Sequence, residues 1–483
     1  MAGIRAGMET STPPPPVPLA DYDPAPFWDE AVTAQGLPRP HYRDVLEALA
    51  GGDLEARRAG VAEAMRERGV VFGGTGGTRP FVVDPVPRVL PAEEWSALEH
   101  GLAQRVRALN AFLADVYGEQ AIVHEGVVPA RVIERADHFE PSLRGRVDPA
   151  HGAWANVAGL DLVRGAAGEW AVLEDNLRTP SGAAYVLAAR EGAASGLPGD
   201  PRPLRDELAA LLGGALRDAA PAGRDDPFVV LLTDGPSNSA YWEHRSLAEL
   251  LGITVATLED LEHRDGDLVL RTPEGGGAPR RVDVVYRRTD EDRLTDESGA
   301  LTAVGEALLG PWSSGSIGLA NAFGNGVADD KLAHAHVASM VRFYLGEEPL
   351  LPSVRTYDLG DARTRAAVLD RLGELVVKPR SGYGGQGVVL CSHVSEREVR
   401  ATRDAVLAAP EDFVAQELVA LSRHPTVIEN TLQPRHVDLR PFVYCGESVR
   451  VLPGGLTRVA LDAGAMVVNS SQNGGGKDTW VMR

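Results

Sequence analysis

Val376-Val377-Lys378-Pro379-Arg380-Ser381-Gly382-Tyr383-Gly384-Gly385-Gln386-Gly387 couples an apolar strand to a glycine-rich loop, and the apolar Val388-Val389-Leu390 follows it. Four glycines fall in the last six of those residues. Glycine lets backbone N–H groups approach a polyphosphate closely, and Lys378 on the preceding strand adds a mobile positive charge. No Gly-Lys-Ser/Thr opens a helix here, so the stretch is not a P-loop. Taken alone, it reads equally as a phosphate cradle or as the tip of a hairpin. Some 25 residues on, Phe413-Val414-Ala415-Gln416-Glu417-Leu418-Val419 reads as a strand whose backbone can face an adenine while Glu417 meets a ribose.

Three other groups of residues carry chemistry. Asp161 lies on one predicted strand and Glu174-Asp175-Asn176 on the opposite arm of a hairpin, where alternation turns Glu174 and Asn176 to one face. Three oxygen-bearing side chains suit Mg²⁺ held against phosphate oxygens, although a solvated acidic turn has the same composition. In Asp329-Asp330-Lys331, either aspartate can cap the helix that follows. Lys331 in the first turn opposes the helix dipole, which suits a lysine facing an anion or one that is simply exposed. Along His436-Val437-Asp438-Leu439-Arg440-Pro441-Phe442, Asp438 and Arg440 share the face of His436. Such an arginine can clamp a phosphate or carboxylate, or serve a structural pair.

The whole chain sets the frame. At 483 residues it holds two to four domains or one elaborated enzyme core. Hydrophobic residues at 44% and charged residues at 24% are those of a globular protein. A net charge of −20 repels phosphate backbones, which argues against nucleic acid as a main partner. Cys391 and Cys445 are too few for a disulfide framework, so a reducing cytoplasm is expected. The N-terminus lacks a signal-peptide layout and no apolar run approaches the ~18 residues of a membrane span, so no membrane partner is expected.

Residues 1–18 are expected to form a proline-rich, disordered tail, and 19–150 to be mainly helical, with helices at 44–50, 54–68 and 92–117. The last of these carries Trp95, Leu98, Leu102, Val106, Leu109, Phe112 and Leu113 on one face. Residues 151–225 hold the acidic hairpin, strands 160–164 and 170–175. Residues 226–325 form a parallel α/β layer with strands at 227–233, 253–255 and 281–286. Residues 326–483 contain a helix over 330–345 and strands at 374–378, 387–391 and 436–444. The turn Gly235-Pro236-Ser237-Asn238-Ser239, at a helix N-terminus, or Arg287 and Arg288 can hold a substrate carboxylate, and each can equally be structural. His244 reads as a packing or surface histidine.

Together these groups resemble the ATP-grasp enzymes, with their order changed. Asp161, Glu174-Asp175-Asn176 and Pro180-Ser181-Gly182 resemble the metal hairpin that ends the superfamily's chain, yet here they come first. Asp330-Lys331, Val377-Lys378-Pro379, Gln416-Glu417-Leu418 and Asp438-Leu439-Arg440 follow in the usual order. That arrangement resembles the circularly permuted ATP-grasp family and, distantly, the synthetase half of glutathionylspermidine synthase. Gly454-Gly455-Leu456-Thr457-Arg458 and Asn469-Ser470-Ser471-Gln472 add to the likeness.

The resemblance implies an α/β, circularly permuted ATP-grasp fold with a helical N-terminal region and a parallel α/β pre-ATP-grasp layer. It implies ATP and Mg²⁺ as cofactors. Lys331 and Lys378 would contact phosphates, Ser381, Gly382, Tyr383, Gly384, Gly385, Gln386 and Gly387 would cover them, and Gln416, Glu417, Leu418 and Val419 would line the adenine pocket. Asp161, Glu174 and Asn176 would hold Mg²⁺. Arg440 and Arg458, with Lys378, would act on the transferring phosphoryl group or the acceptor carboxylate; Lys477 and His436 are further candidates to face substrate. The implied activity is ligation of a small-molecule carboxylate to an amine through an acyl phosphate, on an amino acid or small peptide. A phosphotransferase and a non-catalytic ATP-binding subunit are the alternatives. A protein partner from the same pathway is a further expectation.

Overall fold

The acidic hairpin forms because Val157–Arg164 is apolar on both sides of Asp161, and Gly165 and Gly168 turn the chain back into Trp170–Asn176. The computed structural model describes Leu19 and residues 21–73, 77–193, 196–271, 278–382, 386–462, 464–465 and 474–483. The tail 1–18, the loop residues Tyr383, Gly384 and Gly385, and the stretch Asn469-Ser470-Ser471-Gln472 lie outside the described residues. In the hairpin Asp161 stands opposite Glu174 and Gly159 opposite Asn176, with a bulge between Asp161 and Leu162.

This hairpin is one edge of a seven-stranded sheet. The order runs Val83–Leu90, Gly474–Val481, Val449–Ala460, Thr431–Cys445, Val157–Arg164, Trp170–Asn176, with Arg423–Ile428 paired to Thr431–Cys445. Only the pair at the far edge, Val83–Leu90 with Gly474–Val481, is parallel. A hairpin from the first half of the chain is thus closed onto strands from its C-terminal end.

Two four-stranded sheets flank the site. Gly318–Ala320, Val284–Arg287, Val229–Leu232 and Thr254–Ala256 are all parallel and largely buried, as their apolar runs predict. Thr356–Asp358, Phe413–Glu417, Leu375–Pro379 and Val389–Leu390 form the other, antiparallel sheet, which carries Lys378 and leads into the glycine-rich loop. The helix Ala92–Tyr117 buries the whole predicted stripe against the seven-stranded sheet. Among the described residues no helix is long and apolar enough to cross a membrane.

Several elements differ from expectation, among them the paired strands Val71–Phe72 and Arg79–Pro80 in the region read as mainly helical. Within the region read as mainly helical, Val83–Leu90 is a fully buried strand. Its two prolines, Pro85 and Pro87, hid it; they are tolerated because the strand lies at the sheet edge, where its register with Gly474–Val481 shifts. The single helix expected over 330–345 is instead broken into Lys331–His334, Val337–Met340 and a π-helical turn, Val341–Leu345.

The N-terminal segment clasps the strand Arg423–Ile428 through the Glu30 N–H, which donates to the Arg423 carbonyl at 2.9 Å. Beside it, the buried Asp29 accepts from the Tyr22 hydroxyl at 2.5 Å and from the N–H groups of Ala31 and Val32 at 2.9 and 2.8 Å. Burial outweighs these bonds and lifts the Asp29 carboxyl from 3.8 to about 7. The folded state therefore keeps a proton that the unfolded chain releases, and stability falls as pH rises from about 4 to about 7, by at most roughly 1.4 kcal/mol per pH unit from this group. Asp29→Asn is expected to remove that component from unfolding free energies measured across this range.

Candidate active site

A cleft of about 1070 Å³ opens among the three sheets. The helix Lys331–His334 starts there because Asp330 caps it, accepting from the Leu332 N–H at 2.7 Å. Arg380, just past the end of the Lys378 strand, holds the same cap residue through its Nε at 3.1 Å. Asp329 accepts from the Leu177 N–H at 2.6 Å, tying the hairpin's end to this helix start. Both predicted lysines are thereby brought beside the hairpin. Lys331 Nζ donates to the Gly382 carbonyl at 3.1 Å, and Lys378 Nζ lies 3.2 Å from Glu174 Oε1. Burial pushes the Glu174 carboxyl up, but Lys378 and then Lys331 outweigh it and hold it below its ordinary value.

The far wall is a ladder of buried charges across three strands. Asp438 and Arg458 are register partners. Arg458 binds Asp438 through Nε at 2.8 Å and Nη2 at 2.5 Å, and its Nη2 also reaches Asp161 at 2.9 Å. Arg440 holds Asp161 bidentately at 2.6 and 2.9 Å. Burial raises both carboxyls; two guanidiniums bring Asp161 down to about 2, whereas Asp438 stays above its ordinary value. Asp438 and Arg440 share a face as alternation predicts, but they pair with other partners.

Of the predicted residues, Asp161, Glu174, Asn176, Lys331, Lys378, Gly382, Gln386, Gln416, Glu417, Leu418, Val419, Arg440 and Arg458 all line the cleft. Ser381 and Gly387 are exposed and stand outside its lining. Glu417 is engaged by the Tyr357 hydroxyl at 2.5 Å and by Arg371 at 2.8 and 2.9 Å. Asp161 and Glu174 offer carboxylate oxygens and Asn176 an amide oxygen from adjacent positions of one hairpin, and both carboxyls stay ionised. This donor set fits a hard divalent cation. It needs the amide, since among the described residues no three His, Cys, Asp or Glu side chains gather as a metal site.

Other candidates are drawn elsewhere. Lys477 is fully buried in an ion pair with Asp84, away from the cleft. His436 packs edge-on against Phe27, 4.6 Å between ring centroids, and its Nδ1 meets the Leu421 carbonyl at 2.9 Å. Arg287 is structural: its Nε donates to the Asn321 carbonyl at 2.7 Å and its guanidinium stacks on Phe323. Arg288 does line the cleft, clamping the Pro180 carbonyl and Ser181 Oγ at 2.6 Å each and pairing with Glu243 at 3.3 Å. Ser237, Asn238 and Ser239 line it too. His244 is buried in the cleft wall against Thr233 Oγ1 at 2.8 Å, and burial pushes its pKa down to about 2.

Sequence reasoning missed a buried trio behind the hairpin: Asp175 accepts from Arg105 Nε and Nη2 at 2.6 and 2.7 Å and lies 2.7 Å from His334 Nδ1. Asp175 points opposite to Glu174 along the strand, and its partners are 70 and 159 residues away, so no local pattern could reveal them.

The chain is similar to several known proteins. A Frankia casuarinae protein named "Putative glutamate--cysteine ligase 2-2" is 48% identical over 96% of this chain and 55% of its own length. This chain thus spans little more than half of that relative, and 57% of a similar Frankia alni protein. An uncharacterized protein of Synechocystis is 42% identical over 96% of this chain and 99% of its own. Among solved structures, a glutathione synthetase like-effector from Globodera pallida in its apo form superposes with a TM-score of 0.56 at 12% identity, covering 89% of this chain and 96% of the other, a likeness of fold. The sequence pattern of one family matches residues 87–460. The chain belongs to the circularly permuted ATP-grasp type 2 family.

Proposed function

We propose that this chain is an ATP-dependent carboxylate–amine ligase that joins an amino acid or small peptide to an amine and releases ADP and phosphate. The observation that supports this most is the meeting, in one cleft, of two lysines, two arginines and an oxygen-donor hairpin from distant parts of the chain. In the free protein these cations and anions neutralise one another, and a nucleotide triphosphate with its metal would substitute for each in turn. Asp161, Glu174 and Asn176 would hold Mg²⁺, which supplies charge neutralisation at the phosphate oxygens. Lys331 and Lys378 bind the triphosphate from the opposite side, and Gln416, Glu417, Leu418 and Val419 border the adenine. Arg440 and Arg458 face the transferring phosphoryl group and the acceptor carboxylate. A carboxylate oxygen attacks the γ-phosphorus and ADP leaves; the amine then attacks the acyl carbon, releasing phosphate and a proton. The protein's part is positioning and electrostatics. The name carried by the Frankia relatives, which denotes joining two amino acids, agrees with this bond type.

Purified protein incubated with Mg·ATP and pooled amino acids, peptides and amines is expected to release ADP and phosphate only when substrates are present. Release of AMP would overturn the mechanism, and a stable phosphorylated product without amide would make the protein a phosphotransferase. Glu174→Gln is expected to weaken Mg²⁺-dependent ATP binding by about tenfold or more. Binding without Mg²⁺ should not fall, because the lost charge faces the phosphates. Calorimetric titration of ATP with and without Mg²⁺ checks both halves.

A further inference from the structure

His334 ends the short helix that Lys331 begins, is 4% exposed, and forms part of the cleft wall. Its Nδ1 lies 2.7 Å from Asp175 Oδ2. Arg105 Nη2 also stands 3.1 Å from Nδ1, but the contact to Asp175 is the shorter, and since a carboxylate only accepts, Nδ1 carries the proton and points it at Asp175. Asp175 is already neutralised by the bidentate grip of Arg105, whose Nη1 is fixed in turn by Ser353 Oγ at 2.9 Å, so nothing requires the ring to be a cation. Burial outweighs the pull of Asp175 on the imidazole, with Arg105 and Lys378 adding to the effect, and the ring is held neutral. Nε2 is then a lone-pair acceptor, and it is buried with no partner. An unpaired buried acceptor in a cleft wall, in a ring locked by two further residues, is costly unless a ligand donates to it.

The surroundings narrow the donor. The helix Lys331–His334 packs against the strand Thr356–Asp358, in which Thr356 stands opposite Gln416. Thr356 and Gln416 both line the cleft, and the Gln416 amide NH₂ is spent on Thr356 Oγ1 at 3.0 Å and the Leu173 carbonyl at 3.3 Å. His334 Nε2 is therefore left without a donor from Gln416, on the strand expected to border the base. Ionised phosphate oxygens offer no proton to it; a nucleoside offers two kinds, an exocyclic amine and ribose hydroxyls.

We propose that His334 reads the nucleoside of the bound nucleotide, its Nε2 accepting a hydrogen bond from the adenine amino group or from a ribose hydroxyl. The inference rests on the reading of the cleft as an ATP site. Inosine and guanosine nucleotides turn a carbonyl toward the position of the adenine amine, setting acceptor against acceptor, and deoxynucleotides lack one hydroxyl donor.

The test is calorimetric binding of Mg²⁺ complexes of ATP, ITP, 2′-deoxyATP and 3′-deoxyATP to the full chain and to its His334→Ala and His334→Gln variants, with thermal melts of each. The wild type is expected to prefer ATP by about tenfold over ITP if the amine is read, or over one deoxynucleotide if a hydroxyl is read. That preference should shrink to within about threefold in His334→Ala and persist in part in His334→Gln, which keeps an acceptor. An ATP preference undiminished in a folded His334→Ala variant would overturn the proposal. So would a wild type that binds all four alike, a result that needs no variant. A wild type that binds none of them overturns the ATP-site reading itself, a distinct outcome.

Discussion

Lys378→Ala is expected to cut substrate-dependent ATP turnover by on the order of 10²–10³-fold while leaving the fold intact. Lys378 is buried on the strand Leu375–Pro379, its strand held against Phe413–Glu417 by register, so its ammonium is pre-positioned rather than recruited. A charge fixed and buried in the cleft wall stabilises developing phosphoryl charge far more than a mobile surface lysine could. The substitution also strips Glu174 of its nearest cation, and the freed carboxylate then repels the triphosphate. Glu174 is partly exposed and can hydrate, so stability should change little. Steady-state turnover with a thermal melt as control checks both statements; a turnover within threefold of wild type would contradict them.

Arg458→Ala is expected to cost about 3–5 kcal/mol of unfolding free energy. Arg458 bridges Asp438 and Asp161, and all three are buried, so its loss leaves Asp438 with no direct cation in the ladder and Asp161 with Arg440 alone. Breaking a buried pair is costly because the surviving charge has no water to turn to. Lysine should rescue poorly, since one ammonium cannot reproduce a fork gripping two carboxylates. Arg440→Ala should cost less, because Asp161 keeps Arg458. Urea denaturation of the three variants orders them, and a loss below about 1 kcal/mol for Arg458→Ala would contradict this account of the ladder.

What could be read from sequence was what short-range physics encodes. The stripe on Ala92–Tyr117 follows the helical repeat, and the Asp161/Glu174/Asn176 arrangement follows strand alternation across a glycine turn. Lys378 was legible because its strand runs directly into the glycine-rich loop. The ladder was half legible: alternation gave Asp438 and Arg440 a common face, but the choice of Arg458 for Asp438 and Asp161 for Arg440 depends on sheet register, between residues 20 apart in the first pair and 279 apart in the second. Lys477 misled for the same reason, since nothing near it in sequence announces Asp84, 393 residues away. Val83–Leu90 was hidden by prolines that only an edge position tolerates, and the break after His334 by an apolar pattern that three short helical pieces share with one long helix.

The most direct test of the central claim is an isotope tracer. Pooled amino acids and peptides carrying ¹⁸O in their carboxylates, incubated with the protein, amines and Mg·ATP, should yield released phosphate bearing one ¹⁸O atom, because the carboxylate oxygen that attacks the γ-phosphorus departs with it. Phosphate without label, formed alongside amide product, would contradict acyl-phosphate transfer in this cleft.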